Sequence, residues 1–268
     1  MKKLLWLTVA FFVLIACKTE TKSTAEEAPT EATDSTVTQV EPTKPEETEV
    51  WEPKPAKVNP KEQNGAPSDA IILFDGKSLD AWVSTKDTTQ PAGWDLNPDG
   101  SMTVKNGFGD IQSKQKFGSV QLHVEWKNPS PRRKSGQNSG NSGVFLHDRY
   151  EVQVLDNFDN ETYVNGMVAS IYKQHIPLVN ATNPSGEWQT YDIIYHAPEF
   201  DATGAKTKSA TITVLHNGVL VQDHVEILGT TEYIGWPKNA AHGKASIKLQ
   251  DHNDESGVTY RNIWVREL

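Results

Sequence analysis

Between Thr211 and His224 the chain reads as two alternating apolar–polar runs separated by Asn217-Gly218. Asn-Gly in that setting is the strongest short-range signal of an antiparallel hairpin. A two-residue turn that follows the twist of its strands needs positive φ at both positions, which Asn and Gly tolerate. A lone hairpin is at best marginally stable in water, so this one demands further strands. The rest of the C-terminal portion supplies them. Val120, Leu122, Val124 and Trp126 alternate with Gln121, His123 and Glu125, the pattern of a strand with one buried face. The apolar run 71–74 is stopped by Asp75-Gly76, Asn106-Gly107 marks another turn, and 246–250 and 258–265 predict two closing strands. No helix-period stretch of useful length follows Ser68. Many short strands punctuated by Gly and Asn/Asp turns predict an all-β sandwich or barrel. About 200 residues is an ordinary size for one such domain.

The N-terminus has a different character. Lys2 and Lys3 precede an almost unbroken apolar run from Leu4 to Ile15, shorter than the roughly 20 residues that span a bilayer. A charged start and a short apolar core predict a secretory signal that is removed. Leu14-Ile15-Ala16-Cys17 has the form of a lipobox and resembles bacterial lipoprotein signals, in which the cysteine is acylated and becomes the first mature residue. Cys17 is the only cysteine, so no internal disulfide can form and stability must come from packing. The expectation is a signal peptide over 1–16, a lipidated Cys17, and a protein anchored in the cell envelope. Several acyl chains hold far more firmly than one. From Lys18 to Pro67 the sequence is rich in Thr, Glu, Pro, Lys and Ala, with prolines at 29, 42, 45, 53, 55, 60 and 67. Such a stretch cannot bury enough apolar surface to offset the entropy of ordering, and its prolines favour an extended spacer. Residues 17–67 are therefore expected to be a disordered tether and 68–268 the folded domain.

The net charge of −9, with no basic stripe interleaved with aromatics, argues against nucleic acid as a partner. The eight tryptophans divide between core filling and sugar stacking in a way that composition does not decide. The densest polar stretch on a predicted sheet is Asn141–Asp156, two strands with a tight turn near Asp148-Arg149. In the second strand Glu151 and Gln153 share one face and Val152 and Val154 the other. The valines should face the core, leaving Glu151 and Gln153 to a groove or to solvent. Gln250 and His252 share a face in the same way, with Asp251 opposite, and a histidine beside carboxylates at a strand end can serve as acid or base. The segment 187–192 mixes an aromatic with amides and carboxylates, which suits sugar recognition and a strand edge equally. There is no His-Glu-x-x-His, cysteine cluster, phosphate loop or nucleophile elbow. Pattern alone reaches an exported β-sandwich with a polar groove suited to carbohydrate.

The segment Leu73-Phe74-Asp75-Gly76-Lys77-Ser78-Leu79-Asp80-Ala81-Trp82 resembles the opening of the 3-keto-disaccharide hydrolase domain family. The likeness continues through 141–146, 150–156, Gly186-Glu187-Trp188-Gln189, His216-Asn217-Gly218, Leu249-Gln250-Asp251-His252 and 261–265. The motifs fall in order over nearly the whole of 69–268. The resemblance implies a concanavalin A-like jelly roll, two stacked antiparallel sheets with a concave polar face. It also implies cleavage of glycosides whose sugar carries a ketone at C3. The ketone acidifies the C2 proton; a base removes it, the C1 leaving group departs by β-elimination, and water can add back. Such a site needs a base, donors or a cation for the enolate oxygen, and an acid for the leaving oxygen, rather than the opposed carboxylates of an ordinary glycosidase. On this chain the resemblance points to Glu151 and His252 as catalytic candidates. Asn141, Gln153, Asp156, Tyr172 and Gln250 would bind substrate, and His147 is a further candidate. The sequence names no definite cofactor; a divalent cation could polarise the ketone, with His and carboxylates present to hold it. A non-catalytic carbohydrate-binding module on the same tether is the alternative, with surface adhesion a third, since one fold hosts many functions. A lone domain on an anchor favours the enzyme.

If Cys17 is the anchor, Cys17→Ser releases the protein from the membrane fraction; unchanged fractionation would refute the anchor.

Overall fold

The computed structural model describes residues 41–62 and 65–268. The expected signal peptide, Cys17 and the tether as far as residue 40 lie outside the described residues. Two compact units are distinguished, Met1–Pro55 and Ala56–Leu268. The described part of the first, 41–55, is exposed throughout and carries one 3-10 turn at Pro45–Thr48. Trp51 is 74% exposed, and its indole donates to nearby Glu49 Oε2 at 3.0 Å.

The second unit starts earlier than the expected domain boundary at residue 68. Ala66 is buried. The Ser68 N–H donates to Asn59 O at 2.9 Å, and the Asn59 N–H donates to Ser68 Oγ at 3.0 Å. The strands are β1 (Ile71–Phe74), β2 (Trp82–Ser84), β3 (Asp95–Leu96), β4 (Met102–Thr103), β5 (Ile111–Ser113), β6 (Val120–Lys127), β7 (Ser142–Leu146), β8 (Tyr150–Val154), β9 (Gln189–His196), β10 (Glu199–Phe200), β11 (Lys206–Lys208), β12 (Ala210–His216), β13 (Val219–Ile227), β14 (Lys248–Leu249) and β15 (Thr259–Glu267). Every pairing is antiparallel. The large sheet runs β13-β12-β9-β6-β15-β4-β3 with β1 also on β15; the small sheet runs β2-β5-β14-β7-β8; β10 and β11 form a separate ribbon. Among the described residues the only helical turns are short 3-10 segments. This is the expected jelly-roll sandwich of two antiparallel sheets.

Strict alternation builds the core. In β6, Val120, Leu122, Val124 and Trp126 are buried and their neighbours are not; β9 and β12 alternate likewise. Each such aliphatic side chain, fully buried, contributes about 1.5–3 kcal/mol. The Asn217-Gly218 turn forms with φ of 53° and 78° between His216 and its partner Val219. The small sheet is different, because β7 and β8 are buried on both faces. Val144, Leu146, Val152 and Val154 face the core, while the reverse face carries Phe145, Glu151 and Gln153. Glu151 and Gln153 were expected to meet a groove or solvent; they are 4% and 1% exposed. The chain following β8 folds back along its open edge. The N–H groups of Ala169 and Tyr172 donate to Gln153 O and Glu151 O, and the Glu151 N–H donates to Thr231 Oγ1. This covers an edge strand that would otherwise offer unpaired backbone groups.

Two tyrosines of the large sheet reach across the core to hold the small one. Tyr191 Oη donates to Gln153 O at 2.6 Å and accepts from the Ala169 N–H at 2.9 Å; Tyr260 Oη pairs with Ser142 Oγ at 2.7 Å. Both rings are fully buried, and a buried polar atom needs such a partner.

A chain starting at Ala56 is expected to melt higher than one starting at Ser68. The shorter chain loses the buried Ala66 and the Asn59–Ser68 bonds, and each kcal/mol lost lowers the midpoint of a domain this size by about 2–4 °C. Equal midpoints in thermal unfolding would place 56–67 outside the folded unit.

Candidate active site

The register of three strands assembles the site. Phe145 lies opposite Glu151 and Gly143 opposite Gln153, while Lys248 on β14 pairs with Phe145. The Gln250 N–H donates to Gly143 O at 3.1 Å, which brings Gln250 alongside. A Cβ on Gly143 would lie 2.5 Å from Glu151 Oε1, so only glycine lets the carboxylate lie over β7. Among the described residues no hydrogen-bond donor reaches that carboxylate. Burial pushes the Glu151 carboxyl up to about 8; the Lys248 ammonium opposes the shift and the Asp110 carboxylate adds to it. A carboxyl in this range exchanges protons near neutral pH. Lys248 itself lies over the Phe145 ring at 3.9 Å and pairs with Asp110 at 3.4 Å and Asp148 at 3.5 Å.

The amides around Glu151 are held or waiting. Gln153 Nε2 donates to Asn141 Oδ1 at 2.8 Å, to Val154 O at 3.0 Å and to Ser142 O at 3.3 Å. Asn141 Nδ2 in turn donates to Gln137 O at 2.7 Å. Gln250 Oε1, by contrast, is a buried acceptor with no donor among the described residues. Such an atom costs about 1–3 kcal/mol unless something occupies it. The Tyr172 hydroxyl pairs with that of Tyr163 at 2.6 Å, and burial raises both phenols above their ordinary range. His252 stands at the rim, its Nδ1 3.1 Å from Asp254 Oδ2.

These groups line a cleft of two chambers that share wall residues. The inner one, about 230 Å³, contains Glu151, Gln153 and Gln250. The outer one, about 620 Å³, contains Tyr163 and Lys173. Asn141, Tyr172, Tyr233 and His252 line both. Six of the seven candidate catalytic and substrate-binding residues are thus brought together: Asn141, Glu151, Gln153, Tyr172, Gln250 and His252. Asp156 is not among them. Its carboxylate is clasped by Arg132 Nε at 3.0 Å and Ser185 Oγ at 2.6 Å, because the chain turns away after Val154 and the side chain fastens that turn. His147 is also elsewhere. It occupies the first of two positive-φ positions in the β7–β8 turn (52°, with Asp148 at 62°), and its ring packs against Tyr195 and His242. Burial lowers its imidazole to about 4. Trp188, in the segment read as suited to sugar or to a strand edge, lies between Lys127 and Arg261 and lines neither chamber. A second groove of about 620 Å³, with Lys127, Arg133 and Glu255 in its walls, shares no residue with the cleft.

Sequence reading missed Phe145, Tyr163, Lys173, Thr231 and Tyr233. The loop residues among them come from segments with no periodicity, and only the run Tyr233-Ile234-Gly235-Trp236, unusually apolar for a turn-rich segment, could have signalled a surface role. Among the described residues no group of three or more His, Cys, Asp or Glu converges as a metal site.

Because the Glu151 carboxyl is raised, its ionisation opposes folding. Stability is complete at low pH and falls as pH rises toward and through about 8. Glu151→Gln is expected to leave the thermal midpoint nearly unchanged at pH 5 and to raise it above wild type at pH 9; equal shifts at both values would show that the carboxyl is not perturbed.

Residues 69–266 match the family model described as the 3-keto-alpha-glucoside-1,2-lyase-like domain. A crystal structure from Parabacteroides distasonis ATCC 8503, named as a candidate glycosyl hydrolase, is 51% identical to this chain with a TM-score of 0.80, covering 84% of this chain and 97% of that one. Two more structures of that organism, named in the same way, share the fold at 17% and 21% identity. Their TM-scores are 0.54 and 0.52, over 75% and 74% of this chain and 94% and 99% of theirs. No curated protein matches the chain. With a family match over nearly the whole folded unit, the chain belongs to the 3-keto-alpha-glucoside-1,2-lyase-like domain family.

Proposed function

We propose that the cleft cleaves glycosides whose sugar carries a ketone at C3, with Glu151 as the base that takes the C2 proton. The observation that carries this reading is the isolation of Glu151. It is the one carboxylate in the walls of either chamber among the described residues, it is buried, and no hydrogen-bond donor among them reaches it. Ordinary glycosidases set two carboxyl groups across the scissile bond, about 5–5.5 Å or 6.5–9.5 Å apart. A single carboxylate raised toward neutrality suits a different task, the removal of a carbon-bound proton that a neighbouring ketone has made acidic.

The steps follow from the geometry. Glu151 accepts the C2 proton, and the C–H electron pair becomes the enolate across C2 and C3. Gln250, whose Oε1 lacks a donor among the described residues, receives a sugar hydroxyl. Gln153 and Asn141, locked to each other, form a rigid polar floor. The enolate collapses to a C1–C2 double bond as the C1–O bond breaks and its electron pair leaves with the aglycone. His252, at the rim shared by the two chambers, stands where a proton for that oxygen is needed. Water added across the new double bond then completes a net hydrolysis. Acylated Cys17 would hold this activity at the bacterial envelope. The 51%-identical relative, named as a candidate glycosyl hydrolase, and the family's lyase description both support an enzyme acting on glycosidic bonds.

Glu151→Gln is expected to lower turnover of a 3-keto-glucoside by about 10²–10⁴-fold, with binding little changed because the base acts in the transition state. In the wild type kcat/KM rises with pH toward a plateau above about 8, and the variant loses that dependence. Near-normal turnover in folded Glu151→Gln would move the base elsewhere. Sugar binding without cleavage of any 3-keto-glycoside would leave a carbohydrate-binding module.

A further inference from the structure

We propose that the outer chamber seats the leaving group and is built for a phenolic aglycone, with Tyr163, Tyr172 and Tyr233 as walls and Lys173 as the cation that meets the departing oxygen. The inference rests on the reading of the inner chamber as the site of the oxidised sugar. C1 and C2 are neighbours, so a sugar whose C2 proton faces Glu151 has its C1 substituent close by, and the rim that the chambers share offers it a way out. Asn141, Tyr172, Tyr233 and His252 line that rim, and beyond it lies the larger space.

What that space offers is aromatic surface and one positive charge. Lys173 Nζ lies 4.5 Å from the Tyr233 ring centroid, 5.4 Å from that of Tyr172 and 5.8 Å from that of Tyr163. It donates to Tyr233 O at 2.6 Å, and no carboxylate pairs with it among the described residues. Its backbone is held at a φ of 58°, with its N–H donating to Asn165 O at 2.7 Å. A non-glycine residue kept in that region is positioned by its surroundings at some cost, a pattern found at functional sites. Tyr233 is 74% exposed at the tip of a clipped loop. The Thr230 N–H donates to Lys238 O at 2.9 Å, the Lys238 N–H donates to Thr230 Oγ1 at 3.1 Å, and Lys238 pairs with Glu232 at 3.3 Å. The loop thus presents a ring whose outer face is free.

A second sugar fits this chamber less well than a phenol. Its hydroxyls would each need a partner on burial, yet of the three wall amides Gln137 and Asn141 are committed and Asn138 alone is open among the described residues. Gln137 Nε2 donates to Thr162 Oγ1 and Gly166 O, and Asn141 is bound on both its atoms. A phenyl ring stacks on tyrosine faces without that demand. When the C1–O bond breaks, the electron pair departs with the oxygen as a phenolate, stable enough to leave before His252 delivers its proton; the C2 proton remains on Glu151. The Lys173 ammonium is the charge a phenolate requires at that moment.

The test uses the full chain, its Tyr233→Ala and Lys173→Met variants, and two kinds of measurement. In the first, phenyl and methyl β-glucosides, neither oxidised, are titrated calorimetrically. Wild type should bind the phenyl glucoside more tightly, and Tyr233→Ala should narrow that preference by about tenfold. In the second, the 3-keto derivatives of the phenyl glucoside, the methyl glucoside and a disaccharide are compared by kcat and KM. Lys173→Met should lower kcat for the phenyl substrate by about a hundredfold with little change in KM. Equal binding of phenyl and methyl glucosides, a Tyr233→Ala loss that is the same for both, or a preference for the disaccharide would overturn the proposal while leaving the keto-sugar reading intact. Absence of turnover on every keto-glycoside would overturn that reading instead, and the calorimetric preference would then decide the aromatic seat alone.

Discussion

The approach of the Glu151 carboxylate to the backbone of Gly143 is the contact on which the cleft depends. It requires β7 and β8 to pair in a register that sets Gly143 and Phe145 opposite Gln153 and Glu151, and a glycine where a Cβ would collide. The register is pinned at one end by a turn with two positive-φ residues, His147 and Asp148. It is pinned from beneath by Tyr191 and Tyr260, whose hydroxyls cross the core from the large sheet. A slip of one residue would exchange the two faces, sending Glu151 into the valine-lined core and the valines into the cleft.

The same arrangement explains why the carboxylate is reactive. The loops that cover the edge of β8 remove water from Glu151 without giving it a hydrogen-bond donor. The neighbouring charges of Lys248 and Asp110 oppose each other, so burial dominates its proton affinity. Stability is sacrificed to keep a carboxyl titrating close to neutrality, the usual exchange at a functional site.

How much was legible beforehand follows from which forces act locally. Alternation in β6 and β12 and the Asn217-Gly218 turn are local signals, and they predicted strands and hairpin correctly. Pairing Glu151 with Gln153 needed only the period of two; Gln250 and His252 lie past the end of β14 at Leu249, so they meet the cleft from a loop and not by strand alternation, and bringing the two pairs together rested on the family resemblance. The dual burial of β7 and β8 could not be read, because it comes from Ala169–Tyr172 and Thr231, segments without periodicity. Asp156 was misplaced for the same reason. Its partners Arg132 and Ser185 lie far from it in sequence, and nothing in a single strand pattern announces a clasp. The start of the folded unit was set at 68 from composition, whereas the buried Ala66 and the Asn59–Ser68 bonds place part of the proline-rich stretch within it.

The central claim is that a base in the inner chamber removes a carbon-bound proton made acidic by a neighbouring ketone. The most direct measurement is the rate of cleavage of a 3-keto-glucoside deuterated at C2, compared with its protiated twin and with the same glucoside left unoxidised. The account predicts slower cleavage of the deuterated substrate, products that have lost the C2 label to solvent, and no cleavage of the unoxidised glucoside. Equal rates for the two isotopologues, with the label retained at C2 and the unoxidised glucoside cleaved as readily, would contradict it.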